Sequence, residues 1–531
     1  MLALPETLPD SFDDLRQTAL SLLAACRAQA AELKEKTLQN EALKFELARL
    51  KRWRFGTSSE RFDPNQLSLW QEDLETDLAE ASMRQALAPA ATPAPRDKRR
   101  PKRQALPDHL PRVEHRHALE DCTCGACGNA LTVIGEDISE QLDVVPARFF
   151  VHRHIRPKYA CRTCETVTAA ALPAQVIDKG LPAPGLLAQV LTAKYMDHQP
   201  LYRQAVIYAR QGVFLPRSTQ AGWVGHCEVL LEPLGARLRE SLLSEPYLQA
   251  DETTVPVLAP GTGKTHTGYL WVYRTGPWAA RQAVVFNYAD SRGKRWPTRF
   301  LADFQGTLQV DGYVGYNDVL KRKDIREAGC WSHARRKFFD VFKATRSPTA
   351  QEALRHIGQL YRIEAEAKEF DAKARAHMRQ EQAGPILDDF KVWLDDTLLK
   401  LPPSSRLAEA IGYTLGRWPA LLVYLNDGSI QIDNNSIERA IRGVALGRKN
   451  YLFAGSPNGA RRAALIYSLV ETCKLNGVEP YAYLKDVLTR LPTQPHRRLD
   501  ELLPWHWQPQ AMEPSLHSES RSPPCASTSI N

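Results

Sequence analysis

The spacing of hydrophobic positions changes several times along the chain, and each change predicts a different element. From Leu15 to Leu50 a 4-3 spacing runs through Leu15, Ala19, Leu22, Cys26, Gln29, Leu33, Lys36, Asn40, Leu43, Leu47 and Leu50, and eight of these eleven are apolar. This predicts a coiled-coil helix over residues 12–52, with Asn40 at a seam position that sets register at a cost in stability. An amphipathic helix folded against its own chain has the same pattern. The segment precedes a linker and has no neighbour to pack on, which favours self-association.

Between Ile177 and Leu243 the sequence reads helical, with a turn at Gln211-Gly212 and a second helix opened by Pro216 or Ser218. The arrangement over residues 175–244 is that of a helix-turn-helix, in which Arg217, Ser218 and Gln220 would face a DNA groove; plain helical packing fits equally well. From Tyr247 the period becomes strand-like through YLQADETTVPVL, TGYLWVYRT, Gln282 to Asn287 and GTLQVDGYVGYN. GTGKT at Gly261 to Thr265 imitates a phosphate-binding loop. The full motif requires Gly at position 258, where Leu258 stands, and a helix after the Lys-Thr, so the segment reads as a hairpin tip. Lys264 there could still touch DNA. A late helix begins near Asn435, with Ile437, Ile441 and Val444 on one face and Asn434 or Asn435 as N-cap.

Three carboxylates stand out in this last region. Asp251 lies inside the first strand, and Asp311 follows Thr307 to Val310 and precedes Gly312, where its carboxylate points out of the sheet edge. Glu438 borders the apolar stripe of the late helix among Arg439, Arg442, Arg448 and Lys449. A surface pair between Glu438 and Arg442 at i+4 is the plain alternative. The order of strand with Asp, hairpin strand, third strand, helix, fourth strand with Asp and late helix with Glu is that of the ribonuclease-H-like fold. Gathered together, the three would repel by roughly 1 to 4 kcal/mol per pair at about 4 Å. Two Mg²⁺ (or Mn²⁺) ions would remove that cost and support an in-line displacement at phosphorus. Arg335, Arg336 and Lys337 in GCWSHARRKFF form a basic cluster suited to a phosphate-binding face, whereas a His such as His333 is more often packed than catalytic. The 126 residues between Asp311 and Glu438 exceed a minimal core and predict a helical insertion over about 345–428.

Upstream, residues 53–110 shift to an Ala/Pro tract ending in RDKRRPKR, a basic linker able to contact phosphates without reading sequence. Cys124-Gly-Ala-Cys127 and Cys161-Arg-Thr-Cys164 then flank a β-like segment. Two CxxC knuckles supply four thiolates for a closed, structural Zn²⁺ site in a module over 111–172. The 33 residues between them exceed the usual spacing, which leaves Cys122, His115 and His117 as substitute ligands.

At 531 residues and 43% hydrophobic content the chain should form three or four domains with real cores. Its 69 Lys and Arg against 61 Asp and Glu, a net +8, favour a polyanionic partner only weakly at this length. No apolar run reaches a membrane-spanning length, and MLALPETLPD lacks the features of a signal peptide. The expectation is a cytoplasmic protein with reduced cysteines and no membrane partner.

ADET around Asp251, DGYVGYN after Asp311, GCWSHARRKFF, DNNSIERAIR around Glu438 and LGRKNYLFAGS after it resemble the signature blocks of insertion-sequence transposases of family sixty-six, the large transposase subunit. The likeness runs to ELLPWHW near the end, with Gly443 where Pro is common and Cys122 as an additional thiol. It implies a bacterial DDE transposase, nucleoid-associated when bound to DNA, with Asp251, Asp311 and Glu438 as catalytic and Mg²⁺-binding positions and a zinc-binding domain at the cysteines. Double-stranded DNA, both element ends and target, would be the partner, held by Arg335, Arg336, Lys337, Arg439, Arg442, Arg448 and Lys449. A homodimer or higher oligomer and small accessory proteins are further expectations. The fold expected is multidomain α+β/α: coiled coil, zinc-binding β module, helical DNA-binding region, ribonuclease-H-like α/β domain over 245–475, a C-terminal helical segment over 476–508 and a disordered tail over 509–531. The rivals are a ribonuclease-H-like nuclease without strand transfer and a non-catalytic zinc-containing DNA-binding protein.

Overall fold

The computed structural model describes residues 148–509, except 161–166, 172–173, 179 and 260–261. The expected coiled coil, the basic linker, all four CxxC cysteines and the tail beyond 509 lie outside the described residues. What is described is a mixed α/β structure with a helical majority and no helix long and apolar enough to cross a membrane.

Two short antiparallel strands, β1 (Lys158–Ala160) and β2 (Val167–Ala169), come first. Three helices follow: α1 (Pro184–Tyr195), α2 (Leu201–Ala209) and α3 (Arg217–Leu243). The turn falls at Gln211-Gly212 as expected, Gly212 taking a φ of +76°. Gln220, however, is fully buried, its amide donating to the Leu215 carbonyl at 3.0 Å. It cannot face a groove, because it ties the start of α3 to the turn before it.

The sheet is built from β3 (Tyr247–Ala259), β4 (Lys264–Thr275), β5 (Val284–Ala289), β6 (Gly306–Gln309) and β7 (Ile325–Ala328), with α4 (Arg295–Phe300) and α5 (Asn317–Leu320) in its connections. Spatial order is β5-β4-β3-β6-β7. The β3–β4 and β4–β5 pairs are antiparallel, and β6 and β7 add in parallel on the other side of β3. The GTGKT segment ends in strand β4, not a helix, so the phosphate-loop motif is absent there. Gly306 permits the parallel join: its φ is +133°, and a Cβ would stand 2.2 Å from the Pro246 carbonyl that accepts from Thr307 at 2.8 Å.

After the sheet come α6 (Trp331–Thr345), α7 (Pro348–Glu366), α8 (Ala372–Met378), α9 (Gly384–Leu398), α10 (Arg406–Gly416), α11 (Trp418–Leu421) and α12 (Val423–Asn426). They enclose a core of their own around Trp331, Phe338, Ile357, Leu360, Phe390 and Trp418. The chain then returns to the sheet as α13 (Asn435–Tyr451), α14 (Pro457–Leu475) and α15 (Pro480–Arg490). The main core lies between the sheet and α1, α3, α14 and α15. α14 also closes the outer edge of β5: the Ser468 and Thr472 hydroxyls accept from Phe286 and Val284 amides at 2.9 and 3.1 Å, satisfying donors that an edge strand would otherwise expose.

Candidate carboxylate centre

Asp251 belongs to β3, Asp311 lies two residues beyond β6, and Glu438 stands in the first turn of α13. β3 and β6 run in parallel with Gln249 opposite Gln309, so each strand presents its aspartate two residues further along. Residues two apart share a face of a strand, which sets Asp251 on the side of β3 that carries Gln249. A hydrogen bond holds each: Asp251 accepts from the Glu252 amide at 2.7 Å, and Asp311 from the Tyr313 amide at 2.8 Å. The second is possible because Gly312, at φ +93°, turns the chain sharply with the Arg417 guanidinium packed where a Cβ would project. Arg417 in turn pairs with Glu327.

Ile437, Ile441 and Val444 of α13 are buried as their spacing predicted, and Glu438 at the border of that stripe is half-buried. Asn434 is the N-cap residue, but its side chain makes no cap hydrogen bond. Its Oδ1 accepts from the Cys330 thiol at 2.9 Å, and the Asp433 carboxylate accepts from the Asn435 amide at 3.1 Å in its place. Asp433 is buried and takes a second bond from the Tyr361 hydroxyl at 2.8 Å.

Burial raises the Asp251 carboxyl well above the ordinary carboxylate range, and the charges of Glu252, Asp311 and Glu438 raise it further. The three expected carboxylates are therefore electrostatic neighbours, joined by one that the sequence reading missed. Glu252 is pushed up to about 7, chiefly by burial, against the opposing pull of Arg292. The Arg292 Nε donates to its Oε1 at 2.7 Å, and the Arg292 guanidinium also stacks 3.8 Å from the Tyr313 ring centroid. Burial first, and the neighbouring carboxylate charges second, thus disfavour the ionised forms of Asp251 and Glu252. Among the described residues no group of three or more His, Cys, Asp or Glu side chains is set closely enough to hold a metal ion as it stands.

His333 also belongs to this region. Its Nδ1 lies 3.2 Å from the Cys330 sulfur, and burial pulls the imidazole down to about 4 despite Asp311 nearby, so it is neutral at physiological pH. Burial and the Asp433 charge raise the Cys330 thiol, which acts as a buried neutral donor. CWSH and DNN are the segments that carried this signal.

The basic residues divide. Arg439 and Lys449 are exposed, while Arg335, Arg336, Lys337 and Arg442 are half-buried, Lys337 lying 4.6 Å from the Tyr413 ring centroid. Arg448 is a correction to the expected DNA-facing set: it is 4% exposed and donates to the Thr254 hydroxyl at 2.8 Å, which anchors α13 to β3. Helical spacing carries Arg448 to the inner face of α13, beside Val444 and Gly447.

With this geometry in place, the resemblance extends to whole chains, and the class is that of the transposases. A family model described as "Transposase IS66 family" matches residues 179–462, and "IS66 C-terminal element" matches 468–505. "Zinc-finger binding domain of transposase IS66" matches 121–165, and "Transposase C of IS166 homeodomain" matches 42–114, across the end of the expected coiled coil and the stretch read as a linker. This chain belongs to the IS66 transposase family. It is similar to "Uncharacterized protein y4qI" of Sinorhizobium fredii, 39% identical over 537 residues that cover 95% of this chain and 98% of that one. "Uncharacterized protein y4jD" of the same organism is 39% identical over 482 residues, 88% of this chain and 94% of that one.

Proposed function

We propose that this transposase cuts DNA at the ends of its own insertion sequence and directs the freed 3′-hydroxyls at target DNA, with Asp251, Asp311 and Glu438 as its carboxylate triad. The observation that carries the reading is the shared electrostatic neighbourhood of these three residues, which arrive from a strand, a strand end and a helix start. The strand order, three antiparallel strands followed by two parallel ones, supports a ribonuclease-H-like reading of the sheet, with the helices from α7 to α12 as an insertion.

Asp251, Asp311 and Glu438 would hold Mg²⁺ or Mn²⁺, which when bound supplies charge neutralisation and Lewis-acid polarisation at phosphorus. The parallel β3–β6 pair, with Gln249 opposite Gln309, would keep the two aspartates side by side, and α13 would deliver the glutamate. Arg335, Arg336, Lys337 and Arg442, with the exposed Arg439 and Lys449, would lie against strand phosphates, while Arg448 would act by docking α13. Cys124, Cys127, Cys161 and Cys164, all within the matched zinc-finger segment, would close a structural Zn²⁺ site. Two element ends must meet in one complex, so a dimer or larger assembly through the coiled coil expected over residues 12–52 is part of the reading. The protein would work on the bacterial nucleoid, and small accessory proteins could join the complex.

The test is to incubate the full chain with DNA carrying its element's end and Mg²⁺ or Mn²⁺, beside Asp311→Asn, and map the breaks. Metal-dependent nicking at the boundary that vanishes in the variant supports the triad, and joining of the ends to a second DNA separates transposase from nuclease. Specific binding of the end without any cleavage would overturn it.

A further inference from the structure

Beneath the carboxylates the three segments that bear them meet in one buried hydrogen-bond network. Gln249 and Gln309 are both fully buried and lie directly opposite each other in the parallel ladder. The Gln249 Nε2 donates to Gln309 Oε1 at 2.9 Å and reaches Gln431 Oε1 at 2.9 Å and the Asp433 carbonyl at 3.0 Å, sharing its two hydrogens among these acceptors. Gln309 Nε2 donates to the Gln431 carbonyl at 2.8 Å and the Gly329 carbonyl at 2.9 Å. The Tyr247 hydroxyl donates to Gln309 Oε1 at 2.6 Å and accepts from the Gln431 amide at 3.3 Å.

Each partner lies just before a member of the proposed triad. Gln249 precedes Asp251 by two residues and Gln309 precedes Asp311 by two, while Gln431 and Asp433 form the approach to α13 and Glu438. The Gln249 Oε1 is buried without a hydrogen-bond partner among the described residues, so a polar side chain is kept here at a cost that an apolar one would avoid. Buried amides of this kind specify one arrangement of neighbouring segments more than they add stability. The α7–α12 helices separate Asp311 from Glu438 by a long stretch of chain, so contacts between distant segments set where Glu438 stands relative to β3.

We propose that Gln249 and Gln309 are positioning residues, a clasp that sets the spacing of Asp251, Asp311 and Glu438 and so the affinity of that centre for a divalent cation. This rests on the triad reading above. Outer-shell partners of metal ligands commonly change affinity about 10- to 100-fold when removed.

The experiment titrates Mn²⁺ alone into the full chain and follows unbound ion by electron paramagnetic resonance, with unfolding temperature measured in parallel. Asp311→Asn identifies the site. Gln249→Met and Gln309→Met keep side-chain volume and remove the amides; Leu308→Ala, fully buried in the same strand, reports destabilisation without loss of the clasp. Expected is at least about tenfold weaker Mn²⁺ binding in both Gln variants, against unchanged binding and a lowered unfolding temperature in Leu308→Ala. Should the Gln variants not fold, Tyr247→Phe, which deletes one hydroxyl of the network, decides with an expected loss of about tenfold. Binding within twofold of wild type in the folded variants overturns the clasp alone. A wild-type chain with no Mn²⁺ site sensitive to Asp311→Asn overturns the triad reading, and the clasp with it.

Discussion

The Arg448 guanidinium, buried on the inner face of α13, donates to the Thr254 hydroxyl of β3 at 2.8 Å and also to the Thr254 carbonyl. Close by, the Ala454 amide donates to the Pro256 carbonyl at 2.9 Å and Leu258 to the Ala454 carbonyl at 2.8 Å. The helix bearing Glu438 is thus fastened at its far end to the strand bearing Asp251. Arg448→Met removes charge-assisted bonds worth about 2 kcal/mol and leaves the Thr254 carbonyl short of a donor. Urea denaturation should show that loss, and DNA-cleavage activity should fall beyond it because Glu438 is displaced. An unchanged midpoint would mean the guanidinium contributes nothing to docking.

Arg379 fastens the other end of the approach. Fully buried, it pairs with Glu364 at 2.7 Å and donates to the carbonyls of Tyr424, Asp427 and Ile430 at 2.8 to 3.0 Å. Arg379→Met strands a nearly buried carboxylate and three carbonyls, a cost of about 3–5 kcal/mol. Calorimetry should record a large drop in unfolding temperature. Replacing Arg379 and Glu364 together by apolar residues should recover part of it.

The carboxylate centre predicts an inverted pH dependence. Folding raises the Asp251 carboxyl above its ordinary 3.8 and lifts Glu252 from 4.5 to about 7, burial leading in both cases. Between the unfolded values and about 7 the folded chain binds more protons than the unfolded one, so stability without metal falls as pH rises through that window. Metal and protons compete for the same oxygens. The rise in unfolding temperature on adding Mg²⁺ should therefore grow from about pH 6 to about pH 8; an increment equal at both pH values would rule out binding at these carboxylates.

Arg439 and Lys449 are the exposed members of the basic set on α13. Replacing either by Gln should weaken DNA binding similarly for all sequences and flatten the salt dependence by about one unit of slope. Arg448→Gln, its guanidinium turned inward, should leave that slope unchanged, which a salt titration of binding would check.

Much of the centre was legible from local pattern. The period of two around Asp251, the strand ahead of Asp311 and the stripe of Ile437, Ile441 and Val444 are properties of a few neighbouring residues, and the structure has all three. Glu252 was not singled out, and alternation along a strand sets it on the face opposite Asp251. Its carboxylate is held by Arg292, 40 residues away, and by the Tyr316 hydroxyl at 3.4 Å, partners that no local pattern shows. Arg448 was misjudged for a related reason: a cation in a basic run reads as solvated until a distant partner is known.

The sequence by itself determined the family and the strand or helix character of the segments that carry Asp251, Asp311 and Glu438, because periodicity and motif order are written in neighbouring positions. Tertiary structure alone decided the register that sets Gln249 against Gln309, the exchange of Asn434's cap for Asp433 so that Asn434 can take the Cys330 thiol, and the inward turn of Arg448. Those outcomes depend on which buried donors and acceptors find each other between segments far apart in the chain. No local pattern encodes that choice, because burial makes an unpaired polar group costly only once the surrounding elements have packed.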